Sequence, residues 1–185
     1  MTMKISEIEF ADDNFKACVL ATGLENAEDV TELICRKQKI SSAAGIEFLT
    51  NLKLLDLTRN EITQLDLSKN AELEEIFVGN NELSALDISG CSKLTYLEVF
   101  INQLEELDVS NNPLLESICA NQNDLESIDV SKNTELMDLR LSNNELADID
   151  LSANAKLQKL EMKKNPLSEA ARCRVESLGS IRVQL

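Results

Sequence analysis

Histidine is absent from this 185-residue chain, which removes the side chain most used for proton transfer near neutral pH and one of the two commonest zinc ligands. The G-x-S-x-G and phosphate-loop patterns are missing too. The sequence therefore points away from an enzyme: it offers no catalytic residue, no metal-ligand set and no cofactor motif. Basic residues are scarce, 18 Lys and Arg against 33 Asp and Glu for a net charge of −15, so nucleic acid and anionic membrane surfaces are expected to repel the chain. No apolar run reaches the roughly 18 residues that would span a bilayer. The opening segment MTMKISEIEF also lacks the apolar stretch of roughly 7 to 15 residues found in a secretory signal. A cytoplasmic protein is the expectation for the chain as given, with a secreted or cell-surface location following only if a leader was removed. The five cysteines, Cys18, Cys35, Cys91, Cys119 and Cys173, are odd in number and form no C-x-x-C pair, which predicts free thiols in a reducing compartment. Aromatic residues make up only 3%, a low share for a globular core but a natural one where identical aliphatic side chains stack in ladders.

What the chain does have is a repeat. Leu52, Leu73, Leu94, Leu115, Leu136 and Leu157 stand 21 residues apart and each opens L-x-x-L-x-[apolar]-x-x-N-x-L, most clearly in LMDLRLSNNELADIDLSANAK. A period between about 20 and 29 with this consensus describes a leucine-rich repeat solenoid, in which each turn contributes one short strand to a concave wall. The expected fold is an α/β solenoid with a parallel β-sheet on the concave face, little helix within the repeats and helical caps at both ends. A degenerate first turn starts at Val30, with Leu33, Cys35, Gln38 and Ile40 at the places later held by Leu, Leu, Asn and Ile. Seven turns result over residues 30–167.

Residues 1–29 lie outside the repeat. There Phe15, Cys18 and Val19 at helical spacing, with Gly23 as a stop, predict a short capping helix. Residues 168–185 form the other cap, with Ser168 starting a helix, Ala171, Val175 and Leu178 on one face, Gly179 ending it and SIRVQL following. All three segments form one structural domain. LDLTRNEIT from Leu55 is followed by LDLSKNAEL from Leu65, a nested spacing of ten that predicts two similar, strand-like walls.

These turns resemble the nested 21-residue bacterial repeats called IRREKO, and GIEFLTNLKLLDLTRNEIT resembles internalin-like proteins. The likeness covers Val30 to Leu167, and DDNFKACVLATG is similar to the N-terminal cap of such proteins. It implies a surface-exposed or secreted binding protein, some relatives carrying an acidic calcium-loop-like insert. LENAEDVTEL lacks the D-x-[DN]-x-[DN]-G spacing of that insert.

Side chains alternate along a strand, so places 3, 5, 7 and 8 of each turn should face outward across the concave wall. On that grid Phe77, Tyr96, Phe100 and Ile101 fall in adjacent turns, about 4.8 Å apart per turn, and form one apolar patch. Three of the six aromatics sit where no core requires them, the composition of a protein-binding hot spot. Glu98, Cys119 and Arg140 flank it. The same grid holds seven basic residues (Arg36, Lys37, Arg59, Arg140, Lys159, Lys163, Lys164) and six acidic ones (Glu32, Asp56, Glu75, Glu98, Asp138, Glu161). The wall is nearly neutral with basic ends, which favours a ligand with an apolar centre and acidic flanks. Cys119 lacks a partner base and is read as a tolerated thiol.

Two further ladders have structural roles. Asn60, Asn81, Asn102, Asn123, Asn144 and Asn165 should bond main-chain groups between turns. Asp66, Asp87, Asp108, Asp129 and Asp150, each two residues before a serine, should accept from turn amides. Calcium bridging and a basic partner are the other readings of that aspartate row. Taken together, these features predict a non-enzymatic module that binds a protein or peptide on its concave sheet. The alternatives are a self-associating homodimer, through the patch or a terminal strand, and a secreted adhesion or effector module.

Overall fold

The computed structural model describes residues 3–178 and 182–185. The repeat's apolar places all point inward: Leu73, Ile76 and Val78 in one turn and Leu94, Leu97 and Val99 in the next are fully buried. Because alternate residues of a strand face opposite ways, burying places 4 and 6 turns places 3 and 5 outward. Each turn therefore yields a three-residue strand. In chain order the strands are β1 (Glu32–Ile34), β2 (Leu54–Asp56), β3 (Gln64–Asp66), β4 (Glu75–Phe77), β5 (Ala85–Asp87), β6 (Tyr96–Glu98), β7 (Ser117–Cys119), β8 (Asp138–Arg140), β9 (Lys159–Glu161) and β10 (Arg182–Gln184). Eight of them form one parallel sheet in the order β1-β2-β4-β6-β7-β8-β9-β10. Its register aligns like places: Leu54 opposite Glu75, Glu75 opposite Tyr96, and Phe77 opposite Glu98. The molecule is a β-solenoid of seven turns with little helix.

Asparagine completes each turn. Asn102 Nδ2 donates to the carbonyls of Val78 and Val99, and its Oδ1 accepts from the Leu83 amide. Asn60, Asn81, Asn123, Asn144 and Asn165 bond in the same fashion. A second ladder, Asn70, Asn112, Asn133 and Asn154, runs through the other half of each turn, donating to two carbonyls apiece while each Oδ1 stays without a partner. Cys91 takes the vacant step in this row, and burial pushes its thiol up to about 12. Asp66, Asp87, Asp108, Asp129 and Asp150 each accept from the amide of the serine two residues on, at 2.8–2.9 Å.

The second wall departs from the expected symmetry. Only β3 and β5 pair there among the described residues; later turns run irregularly, with a cleft of about 260 Å³ between Leu107–Asp108 and Ile128–Asp129. The first wall carries a continuous ladder through eight strands, whereas the second keeps scattered main-chain bonds between turns, such as Asp124 N–H to Leu104 O and Glu145 N–H to Leu125 O.

Helix α1 (Asp13–Leu20) precedes the sheet and buries Phe15 and Val19. Asp12 accepts from the Phe15 amide through one oxygen and from Ser41 through the other, so the residue that starts the helix also fastens it to the first turn. That docking overturns the expectation of five free thiols: Cys18 and Cys35, with Cα atoms 5.9 Å apart, form a disulfide. Helical spacing from Phe15 puts Cys18 over the first turn, and Cys35 fills its sixth, inward place. Cys91, Cys119 and Cys173 are free. At the other end Ser168 Oγ accepts from the Ala171 amide to start α2 (Glu169–Glu176), which buries Ala171 and Val175. Gly179 and the first two residues of SIRVQL lie outside the described residues. β10 follows and pairs with β9, Val183 opposite Leu160.

Candidate functional site

The register of β4 and β6 brings the anticipated aromatic residues together. The ring centroids of Phe77 and Tyr96 are 5.1 Å apart with planes tilted by 33°, close enough for an attractive ring pair. Phe100 extends the cluster across the wall because Gly79 leaves room for it. A Cβ on Gly79 would fall 2.4 Å from Cε1 of the Phe100 ring, a distance no packed atom tolerates. Phe77, Tyr96 and Phe100 are half-buried, while Ile101 is 39% exposed.

Ile101 is the anomaly of this wall. The eighth place of every turn is left-handed: Asn80, Gln122 and Asn143 have φ of 58–59°, Lys37, Arg59 and Lys164 have 56–60°, and Ile101 has 52°. The geometry is imposed by bonds between turns, the Ile101 amide donating to Asn121 O and its carbonyl accepting from the Asn81 amide. Asparagine enters that region readily, whereas a β-branched residue is an outlier there. Ile101→Asn is therefore expected to raise stability by about 0.5 to 1 kcal/mol, strain relief outweighing the partial apolar burial lost. Equilibrium urea unfolding checks this; a loss of stability would show that the isoleucine is a packing residue.

Glu98 is also poorly placed for stability. Burial raises its carboxyl above the ordinary range and the neighbouring Asp56 carboxylate adds to that, while a hydrogen bond from Tyr96 and the Arg140 and Arg36 charges oppose it. Burial likewise raises the Tyr96 hydroxyl, with Glu98 adding to it. Arg140 is held by Asp138 through Nε and Nη2, and that bond raises its already high pKa.

Three side chains of the outward grid, Cys119, Asp56 and Ser142, are buried against the simple alternation. Cys119 is only 7% exposed, floored beside Glu98 and Arg140, and burial raises its thiol. It is a covered thiol and a weak nucleophile at neutral pH. Asp56, an outward acid by its place, is 1% exposed; it is ion-paired with Arg36 and accepts from the Thr58 amide.

Pairing reshapes the charge of the wall. Arg36–Asp56, Arg140–Asp138 and Lys159–Glu161 neutralise one another. Lys37, Arg59, Lys163 and Lys164 are left without an ion-pair partner among the described residues. The first two sit at one end beside the aromatic cluster, where Lys37, Thr58, Arg59, Phe77, Glu98 and Phe100 line a cleft of about 320 Å³. Sequence reasoning missed the Arg36–Asp56 pair and the role of Gly79. The asparagines at 80 and 143 were the available signal for the left-handed row. Groups of three or more His, Cys, Asp or Glu placed to hold a metal do not occur among the described residues, and no described helix is long and apolar enough to cross a membrane.

Comparison with known proteins agrees with this architecture. The Leucine Rich Repeat family model matches residues 103–122. Internalin J of Listeria monocytogenes is 41% identical over 71 residues, which is 34% of this chain and 8% of that protein. The solved functional domain of InlJ from L. monocytogenes, which includes a cysteine ladder, superposes with a TM-score of 0.73 at 32% identity over 91% of this chain and 44% of that one. An internalin, InlF, of the same species gives 0.60 at 25% identity over 91% and 61%. The chain thus spans under half of the solved InlJ domain and a small part of full-length internalin J.

Proposed function

We propose that this chain, a leucine-rich repeat protein of the bacterial internalin type, binds a protein or peptide partner on its concave sheet through Phe77, Tyr96, Phe100 and Ile101, with Glu98, Cys119 and Arg140 around them. Proteins of this kind act generally as protein-interaction modules, and one observation supports placing the site here. Ile101 sits exposed in a left-handed backbone where the neighbouring turns keep Asn or Gln. Strain retained at a residue that is only partly packed supports a functional reading. Glu98, partly buried beside a second carboxylate, is a further costly residue in the same turn. Residues 30–167 supply the seven binding turns in this reading, with 1–29 and 168–185 as caps.

The Cys18–Cys35 bond supports an oxidising location, a secreted or surface setting, since structural disulfides persist there and are reduced in the cytosol.

The test is capture by wild type and by a Phe77→Asp/Phe100→Asp variant, with the mass of each in solution. The variant should bind a captured partner about 30-fold more weakly, the loss of two central anchors, while its melting temperature stays within a few degrees. Equal capture by both would sink the reading. A wild-type dimer that the variant breaks, with no other protein captured, would make the patch a self-association surface.

A further inference from the structure

Under the aromatic patch lies a row of main-chain amides, and several of them make no hydrogen bond among the described residues. In an unbroken parallel ladder the N–H at the seventh place of a turn would donate to the sixth carbonyl of the turn before. Here the asparagines occupy that carbonyl: Leu57 O accepts from Asn60 and Asn81, and Val78 O from Asn81 and Asn102. The displaced amide faces the concave side, as its substitutes show. Thr58 N–H donates to Asp56 Oδ1 at 3.0 Å, Ser142 N–H to Asn121 Oδ1 at 2.7 Å, and Lys163 N–H to Ser142 Oγ at 3.1 Å. Each acceptor comes from an outward place of the same or the preceding turn. Each of the Gly79 and Phe100 amides has lost one of these two acceptors, Gly79 because Phe77 holds the fifth place of its turn and Phe100 because Gly79 holds the seventh place one turn earlier; the Thr58 hydroxyl and the Glu98 carboxylate that remain do not accept from them. Among the described residues the Gly79 and Phe100 amides make no hydrogen bond, and neither do those of Arg36 and Asn121 at the same place. Unpaired main-chain donors are rare where water is excluded, and the Gly79 and Phe100 amides belong to the residues that build the aromatic wall, the Phe100 ring lying against Gly79.

The cleft beside them carries the complementary charge. Lys37 and Arg59 line it with no carboxylate paired to either, and Arg36 is already neutralised by Asp56. In a chain of net charge −15 this is a local positive spot against an aromatic wall.

We propose, building on the concave-face reading above, that the cleft reads an extended segment of the partner in which an acidic residue adjoins an apolar one. The carboxylate sits against Lys37 and Arg59, and the apolar side chain packs on Phe77 and Phe100. Main-chain carbonyls take the open amides, as in other sites that recognise an extended peptide through its backbone. A free inorganic anion would use the charges and leave the aromatic wall empty, so the occupant is a peptide.

The probes are fluorescently labelled N-acetyl peptides Asp-Leu-Phe-Asp-Leu, its neutral counterpart Asn-Leu-Phe-Asn-Leu, and Lys-Leu-Phe-Lys-Leu, titrated by anisotropy at low salt. Wild type should prefer the aspartate peptide over the asparagine one by tenfold or more. A Lys37→Glu/Arg59→Glu variant should lose that preference and favour the lysine peptide. Lys163→Glu/Lys164→Glu, which changes net charge equally at the far end, should keep it, and unfolding midpoints within a few degrees show that each variant is folded. The inference is overturned by absence of binding, by equal binding of the aspartate and asparagine peptides, or by equal losses in both charge-reversed variants. If a peptide binds without charge preference yet fails on Phe77→Asp/Phe100→Asp, this inference falls and the concave-face reading stands. Charge-selective binding that survives that double substitution would overturn both.

Discussion

Asn102→Ala should lower the stability of the solenoid by about 3 to 5 kcal/mol. The side chain donates to Val78 O at 3.1 Å and Val99 O at 2.9 Å and accepts from Leu83 N–H at 3.0 Å. These main-chain groups belong to three successive segments of the coil, and no water route opens to them at 9% exposure of the residue. Alanine leaves the Leu83 N–H without a partner, at about 1 to 3 kcal/mol when buried, and removes one bond from each of two carbonyls at about 0.5 to 1.5 kcal/mol apiece. Val78 O and Val99 O keep their bonds from Asn81 and Asn123, which holds the total below the full sum. Asn112→Ala provides the contrast. Its amide bonds two carbonyls, Ile88 and Cys91, but its Oδ1 is already unpartnered, so the substitution removes fewer bonds and also deletes an unsatisfied atom. Urea unfolding of the two variants should separate them by at least about 1 kcal/mol, Asn102→Ala being the weaker. Equal losses would mean that both ladders act only by filling space.

The contrast shows how far a repeat can be read from its letters. Places 1, 4 and 6 announce themselves because burial needs aliphatic residues at a fixed period, and the asparagine at place 9 announces itself because nothing else of that size both donates and accepts. The outward grid followed from these, and Phe77, Tyr96 and Phe100 do share one surface. What the letters hid were consequences of backbone geometry. Ile101 reads as one more apolar residue until its φ of 52° shows that the turn asks for asparagine. Asp56 reads as a surface acid until its bonds to Arg36 and Thr58 turn it into part of the floor. Cys119 shares its column, and close neighbours on both sides cover the thiol. The second wall failed to match the first because ten-residue nesting specifies side-chain character and not curvature.

Glu98 and Ile101 then acquire a common meaning. A sequence selected only to stack would place asparagine at 101 and a neutral residue at 98, because local geometry and desolvation both favour those choices. Gly79 is the third exception, a residue without a side chain that costs backbone entropy and lets Phe100 lie flat. Three departures from the stacking rule in adjacent turns, all on the concave side, concentrate the compromise where the binding surface is proposed. Such compromise is the common cost of a functional surface.

Reduction of the Cys18–Cys35 bond carries the second large effect. The bond closes a loop with a sequence separation of 17, for which the chain-entropy estimate is about 3 kcal/mol. In a domain of this size that corresponds to a fall in melting temperature of about 6 to 12 °C. The loop contains the C-terminal half of α1 and the start of the first turn, so the loss should begin there. Phe15 and Val19 are fully buried, and loosening the helix that carries them exposes the end of the leucine ladder, the vulnerable point of any solenoid. Dithiothreitol should therefore lower the melting temperature of wild type and leave Cys18→Ala/Cys35→Ala unmoved. The free thiols Cys91 and Cys119 are buried and cannot supply the difference. Proteolysis should cut the reduced protein first near α1, while binding at β4 to β7, which the inter-turn bonds of Asn81, Asn102 and Asn123 hold independently of the cap, should persist. A wild-type melting temperature indifferent to reductant would show that Asp12 and the packing of Phe15 suffice to hold the helix, and would remove the disulfide as an argument for an oxidising location.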